Sequence, residues 1–373
     1  MQMRNTATGT WPNTRVSARL GIKYPVIQGP LGGVASQRLT AAVSNYGGLG
    51  SFGAVGLAPG AIKDVIGELR SLTDRPFAMN LWVSTEDPGA GASDAAAFHR
   101  SLAPLAPLIR SLGGTPPPYG AHSWPSFEEQ ARVIIDEKVP VFSFIFGVPP
   151  KEILDECRTK GIVTMGTATT ADEAVELEKA NVDVIVASGF EAGGHRGSFL
   201  RTSEDSLTGT FALVPQVADR VSAPLVAAGG IADARGVVAA LVLGAQGVQI
   251  GTAFLACEES GANPHHRAAL LGGGARTTAL TRGLTGRLAR GVKNQLLDTV
   301  NAAGVEILPY PLQRYLVRNV STLAEKAGRP DLMTMWAGQS ANLARHKRAA
   351  DLLDTLVSEV SAVLDATFST RRS

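Results

Sequence analysis

Eight short runs of apolar and β-branched residues recur between residues 24 and 252, most of them closed by glycine. They occupy 24–28, 48–52, 76–81, 139–146, 162–166, 182–187, 225–228 and 247–250. Their hydrophobicity is continuous rather than alternating, as expected of strands buried on both faces. Helix-period stretches fill most of the gaps. Residues 37–46 place Leu39, Ala42 and Val43 on one face, and Thr170 with Glu173 spells a capping box before a helix over 174–180. Residues 233–243 are rich in Ala, Val and Leu and stop at Gly244, the expected C-terminal signal. Eight strand–helix units in series predict an α/β fold, a (β/α)8 TIM barrel.

Two segments break the rhythm. Residues 84–127, with Pro116, Pro117 and Pro118, read as an insertion after the third strand. Residues 272–328 follow the eighth unit and carry a Gly/Arg-rich stretch, which reads as a smaller cap domain. The expected organisation is therefore a barrel over 1–271, a cap over 272–328, and C-terminal helices over 329–373 that return to the barrel, with a helical pattern at 343–368. At 373 residues and 45% hydrophobic, the chain can bury such a core.

Composition narrows the function classes. With 35 basic and 33 acidic residues the net charge is +2, which favours neither nucleic acid nor an anionic membrane as partner. The polar start of the chain lacks a signal-peptide run, and no stretch of about 18 apolar residues suggests a membrane span. A soluble cytoplasmic protein is the expectation. Cys157 and Cys257 are far apart and read as buried small hydrophobes, with no disulfide framework or metal site implied.

Active sites of such barrels sit at the C-terminal strand ends, often with a phosphate site after strands seven and eight. Here those ends carry Gly229-Gly230 and Gln249-Ile250-Gly251-Thr252. Paired glycines let backbone N–H groups approach an anion, and the helix start that follows adds favourable partial charge; the plainer reading is two tight turns. After the sixth strand comes Gly189-Phe-Glu-Ala-Gly-Gly-His195-Arg-Gly197. A histidine in a Gly-rich loop at a strand end is placed for proton transfer. Gly193 and Gly194 would let the loop pass a planar ligand, and Glu191 and Arg196 are candidates to orient ring or substrate. His99, His122, His265, His266 and His346 have no such context, and His265-His266 lacks a third metal ligand. Strand ends offer Gln28, Asn80, Ser188, Gln249 and Thr252, a polar and uncharged set that suits the carbonyl and N–H edge of a flavin. The absence of a strand-end lysine counts against Schiff-base chemistry.

These pieces, taken with Pro25-Val-Ile-Gln-Gly-Pro30, Phe77-Ala-Met-Asn80, Gly286-Arg-Leu-Ala-Arg-Gly291, Tyr310-Pro311 and Trp336-Ala-Gly-Gln-Ser340, resemble the class I nitronate monooxygenases, formerly 2-nitropropane dioxygenases. The resemblance spans most of the chain in order. It implies an FMN-dependent enzyme with His195 as the catalytic histidine. Asn80, Gly193, Gly229, Gly230, Gln249, Gly251 and Thr252 correspond to flavin contacts. The implied reaction turns an alkyl nitronate such as propionate 3-nitronate, or a nitroalkane deprotonated by the histidine, into a carbonyl compound and nitrite with O2. Two departures stand out: Ser188 where many relatives have Gln, and Leu31 where many have Met. The rival readings are an NAD(P)H-dependent flavin quinone or enoyl reductase on the same barrel, a non-catalytic flavin- or phosphate-binding protein, and a sugar-phosphate barrel. A homodimer fits as well as a monomer.

Overall fold

The computed structural model describes residues 11–87, 90, 94–120 and 124–369; the polar residues 1–10 and His122 lie outside them. All eight expected strands form: β1 (Val26–Gln28), β2 (Gly50–Gly53), β3 (Phe77–Trp82), β4 (Val141–Ile145), β5 (Val163–Ala168), β6 (Val184–Ser188), β8 (Leu225–Ala228) and β9 (Gly247–Ile250). They pair in parallel in the order β1-β9-β8-β6-β5-β4-β3-β2, and an Ile27–Leu49 bridge brings the first strand back to the second. The fold is a (β/α)8 barrel.

Strand alternation divides the residues into two cores. Ile27, Ala78, Val141, Met165, Val184, Val186 and Val226 point inward and pack with Val16 and Leu20. Those two belong to the helix Arg15–Leu20, capped by Thr14 and ended at left-handed Gly21, which plugs the floor of the barrel. Val26, Met79, Leu81, Phe142, Phe144, Ile185 and Leu225 point outward into the helical shell. Further along the same strands the inward positions turn polar, with Asn80, Ser143, Thr167, Ser188 and Gln249 facing the barrel mouth.

The helix Gln37–Tyr46 forms between Ser36 as N-cap and Gly47. The helix Ala234–Val242 is capped by Asp233, which accepts from the Arg235 and Gly236 N–H groups. At Ala171–Lys179 the capping box is only half made. Thr170 caps the helix, but the Glu173 carboxylate is fully buried and accepts from Thr169 N and Oγ1 and from Phe199 and Leu200 N, tying the loop after β6 to the barrel. The C-terminal helix starts later than the sequence pattern indicates, at Ala349, and runs to Ser369 against the helices Gln37–Tyr46 and Ala234–Val242. Residues 341–343 form a single 3-10 turn before it.

Above the mouth, β10 (Thr278–Thr281) and β11 (Ala289–Val292) form an antiparallel sheet with β7 (Gly194–His195), which comes from the loop after β6. The helices Ala95–Leu102 and Ala106–Ser111 of the 84–127 segment share an apolar cluster with Leu284, Leu296, Leu297, Leu316 and Val320. Cys157 and Cys257 are buried free thiols, pushed by burial to about 11 and about 12. Among the described residues no helix is long and apolar enough to cross a membrane.

Candidate active site

The barrel mouth opens into a cavity of about 700 Å³, within the size range of small-molecule and cofactor pockets. Asn80, Ser188, Gly193, His195, Gly229, Gly230, Gln249, Gly251 and Thr252, predicted from four separate segments, all line it. Gln28 does not. With Ile27 facing inward, Gln28 falls on the opposite parity. It is fully buried, its carbonyl oxygen accepts from Ser51 N and its amide donates to Gly29 O. Asn80 donates to Ser143 Oγ at 2.9 Å. Thr252 Oγ1 accepts from Gly338 N at 2.9 Å, leaving the hydroxyl proton for a ligand.

The glycines have distinct reasons. Gly229 and Gly230 have φ of 105° and 72°, the left-handed region that L side chains avoid. A Cβ on Gly229 would also lie 2.8 Å from Thr210 Oγ1. At Gly193 a Cβ would come within 2.6 Å of the Ala337 and Gly338 backbone, so the β6 loop packs directly on the 336–338 segment.

His195 lies in β7, paired with Ala289 of β11. Its ring sits in an aromatic box, with centroids 4.7 Å from Trp82, 5.3 Å from Trp336, 6.3 Å from Phe146 and 6.4 Å from Tyr310. Nε2 is 2.9 Å from Thr285 Oγ1. The ring is partly accessible from the cavity but shielded from bulk water. Burial, with the positive charges of Arg314 and Arg287, pushes it down to about 3, so the imidazole is neutral at physiological pH.

The neighbours Glu191 and Arg196 turn away from the cavity, because the loop needs them to hold its own shape. Glu191 accepts from Thr210 N and Oγ1. Arg196, 1% exposed, donates to the carbonyl oxygens of Gly189, Ser188 and Ser206. They shape the loop instead of meeting ring or substrate.

Several residues in or beside the cavity carried no assigned role in the sequence. Arg287 donates to Asp87 and Ser84 and lies over Phe146 and Tyr310, at 4.4 and 4.7 Å from the ring centroids. Arg314 stacks on Trp124 at 4.9 Å and donates to Tyr310 Oη at 3.3 Å; among the described residues it has no carboxylate partner. His266 also lines the cavity, its Nε2 2.8 Å from the Trp336 carbonyl oxygen, and burial pushes it down to about 4. Trp336, Tyr310 and Arg287 stood in quoted motifs, but only the fold shows that they surround His195.

The nitronate monooxygenase family profile matches residues 13–359. The chain belongs to that family. A Pseudomonas aeruginosa nitronate monooxygenase is 43% identical over 350 residues, covering 93% of this chain and 99% of that one. A Staphylococcus haemolyticus protein named "Probable nitronate monooxygenase" is 39% identical over 356 residues, covering 95% and 99%. Among solved structures, nitroalkane oxidase from Streptomyces ansochromogenes superposes with a TM-score of 0.86 at 34% identity, covering 95% of this chain and all of that one. FabK from Thermotoga maritima is more distant, with a TM-score of 0.75 at 28% identity over 96% of this chain and 99% of its own. Family membership makes the chain an oxidoreductase acting on small nitronates or nitroalkanes, in a family that is generally flavin-dependent.

Proposed function

We propose that the chain oxidises alkyl nitronates, propionate 3-nitronate among them, with FMN as cofactor and O2 as oxidant, and releases a carbonyl compound and nitrite. Neutral nitroalkanes enter the same reaction after losing their α-proton to His195. The observation that carries this reading is a neutral imidazole in the wall of a cavity floored by uncharged polar strand ends and flanked by two glycine turns.

FMN fits the residues present. Gly229, Gly230, Gly251 and Thr252 would hold the phosphate, with backbone open to an anion and one hydroxyl proton available. Asn80, Ser188, Gly193 and Gln249 would meet the ring. When bound, FMN supplies the electron acceptor. The chain supplies the rest. The aromatic box of Trp82, Phe146, Tyr310 and Trp336 excludes water around the reacting carbon, and Arg314, which has no carboxylate partner among the described residues, attracts the anionic nitronate. In this reading residues 272–328 are the substrate-side cap.

An absorbance spectrum of the purified protein, followed by anaerobic propionate 3-nitronate, tests the proposal. Flavin bands that change on adding nitronate, with nitrite released once air is admitted, support it. Bands that ignore nitronate but bleach with NADH overturn it in favour of an NAD(P)H-dependent quinone or enoyl reductase.

A further inference from the structure

Thr285 closes a three-way hydrogen-bond junction that the reaction as described leaves unused. The residue is buried, at 2% exposure. Oγ1 lies 2.9 Å from His195 Nε2 and 3.1 Å from the Arg287 carbonyl oxygen, and it accepts from Arg287 N at 3.3 Å. A hydroxyl has one proton and two lone pairs. Arg287 N–H takes one lone pair. The Arg287 carbonyl can only accept, and among the described residues Thr285 is its donor. Giving the proton to that carbonyl leaves one lone pair facing Nε2, which must then carry a hydrogen. The reverse assignment would leave a buried carbonyl without a donor, a cost that folded proteins avoid.

We propose that Thr285 is a positioning residue that holds His195 in the Nε2–H tautomer, so that Nδ1 is the atom that takes the α-proton; this rests on the base role given to His195 above. Nδ1 makes no hydrogen bond among the described residues, and its lone pair is free. In the step, the α-C–H bond of the neutral nitroalkane breaks. The proton goes to Nδ1, and the electron pair stays with the substrate, delocalised onto the nitro oxygens as the nitronate. The ring becomes an imidazolium without turning over. Its Nε2–H keeps the bond to Thr285, an uncharged acceptor beside two arginines that disfavour the cation. A pre-formed nitronate has no α-proton to give and needs none of this.

The test uses the flavin-loaded protein labelled with 15N-histidine, with His195 assigned by its loss in His195→Asn. The expected spectrum shows a protonated Nε2 and an unprotonated Nδ1. Thr285→Val should give a mixed tautomer signal. It should lower kcat for a neutral nitroalkane about 10–100-fold with little change in KM, while oxidation of the pre-formed nitronate falls far less. Thr285→Ser should restore both tautomer and rate. A wild-type Nδ1–H signal would overturn the proposal, as would a Thr285→Val protein that keeps the Nε2–H signal and its rate, or one that slows equally on both substrates. If His195→Asn oxidises neutral nitroalkanes as fast as the wild type, the base reading itself fails; the spectrum separates that failure from one confined to Thr285.

Discussion

At the scale of single residues, His195 combines a neutral ring with shielding from bulk solvent. His195→Asn should keep bound FMN and lower kcat/KM for neutral nitroalkanes by about 10²–10⁴, with a much smaller loss on pre-formed nitronates; parallel kinetics on the two substrate forms check this. The ring's low pKa owes most to burial and then to Arg314. Arg314→Met removes a positive charge and lets the pKa rise. A base is lost as pH falls through its pKa, so the acid limb of neutral-nitroalkane oxidation should move to higher pH in the variant; kcat/KM profiles from about pH 2.5 to 7, spanning the wild-type value near 3, would show it. The residues legible in sequence were those whose own neighbours announce them: His195 among glycines, and Gly229-Gly230 at a strand end. Thr285, Arg314 and His266 have no local signature, because their proximity to His195 comes from chain segments 70 to 120 residues away. Gln28 shows the opposite error. Being polar at a strand end suggested a ligand contact, while the parity set by Ile27 had already turned it away.

Among the elements, the loop after β6 is fixed by buried polar groups more than by its glycines. Glu173 and Glu191 each accept backbone N–H groups from across the loop, and Arg196 gathers three carbonyls. Glu173 was legible as a helix-capping residue, but its carboxylate serves Thr169 and the neighbouring loop instead of the N-cap backbone, since a fully buried carboxylate must be saturated with donors. Gly193 is the contact point between this loop and the 336–338 segment. Gly193→Ala should displace that segment and with it Trp336. We expect a loss of about 1–3 kcal/mol from overpacking together with weaker FMN retention, measured by thermal unfolding and flavin titration of the same sample. A variant as stable and as yellow as the wild type would contradict the close approach.

For the whole molecule, the barrel was readable because the strands are short, largely apolar runs, most of them with a glycine stop, and only the two irregular segments resisted. Their helices bury their apolar faces against one another across about 200 residues of chain, a pairing that local periodicity does not encode. The C-terminal helix contributes Leu352, Leu353, Leu356 and Val360, all buried, to the main core. At about 1.5–3 kcal/mol for each such side chain, the loss rivals the whole stability of a typical domain. A chain ending at residue 348 should therefore fail to accumulate as folded protein, as judged by soluble yield and circular dichroism. Sensitivity to acid follows from two histidines shielded from bulk water. His195 and His266 are neutral in the fold, held down to about 3 and about 4, and bind protons more readily when unfolded. Their stabilising effect is complete above the ordinary histidine value near 6.5 and is lost as pH falls toward the folded values. Each should add a slope of up to about 1.4 kcal/mol per pH unit in that window, and His266→Gln should flatten the curve in denaturant titrations at pH 4.5 and 7.

The ladder from β7 to β11 places the histidine of one chain segment in the sheet of another, and Thr285 adds a second tie to the same outer layer. The histidine is thus shared property. Anyone exchanging residues 272–328 between relatives to change substrate preference would also be exchanging the register and the hydrogen-bond partner of His195. A graft that leaves the 189–197 loop behind should recover binding before it recovers turnover on neutral substrates.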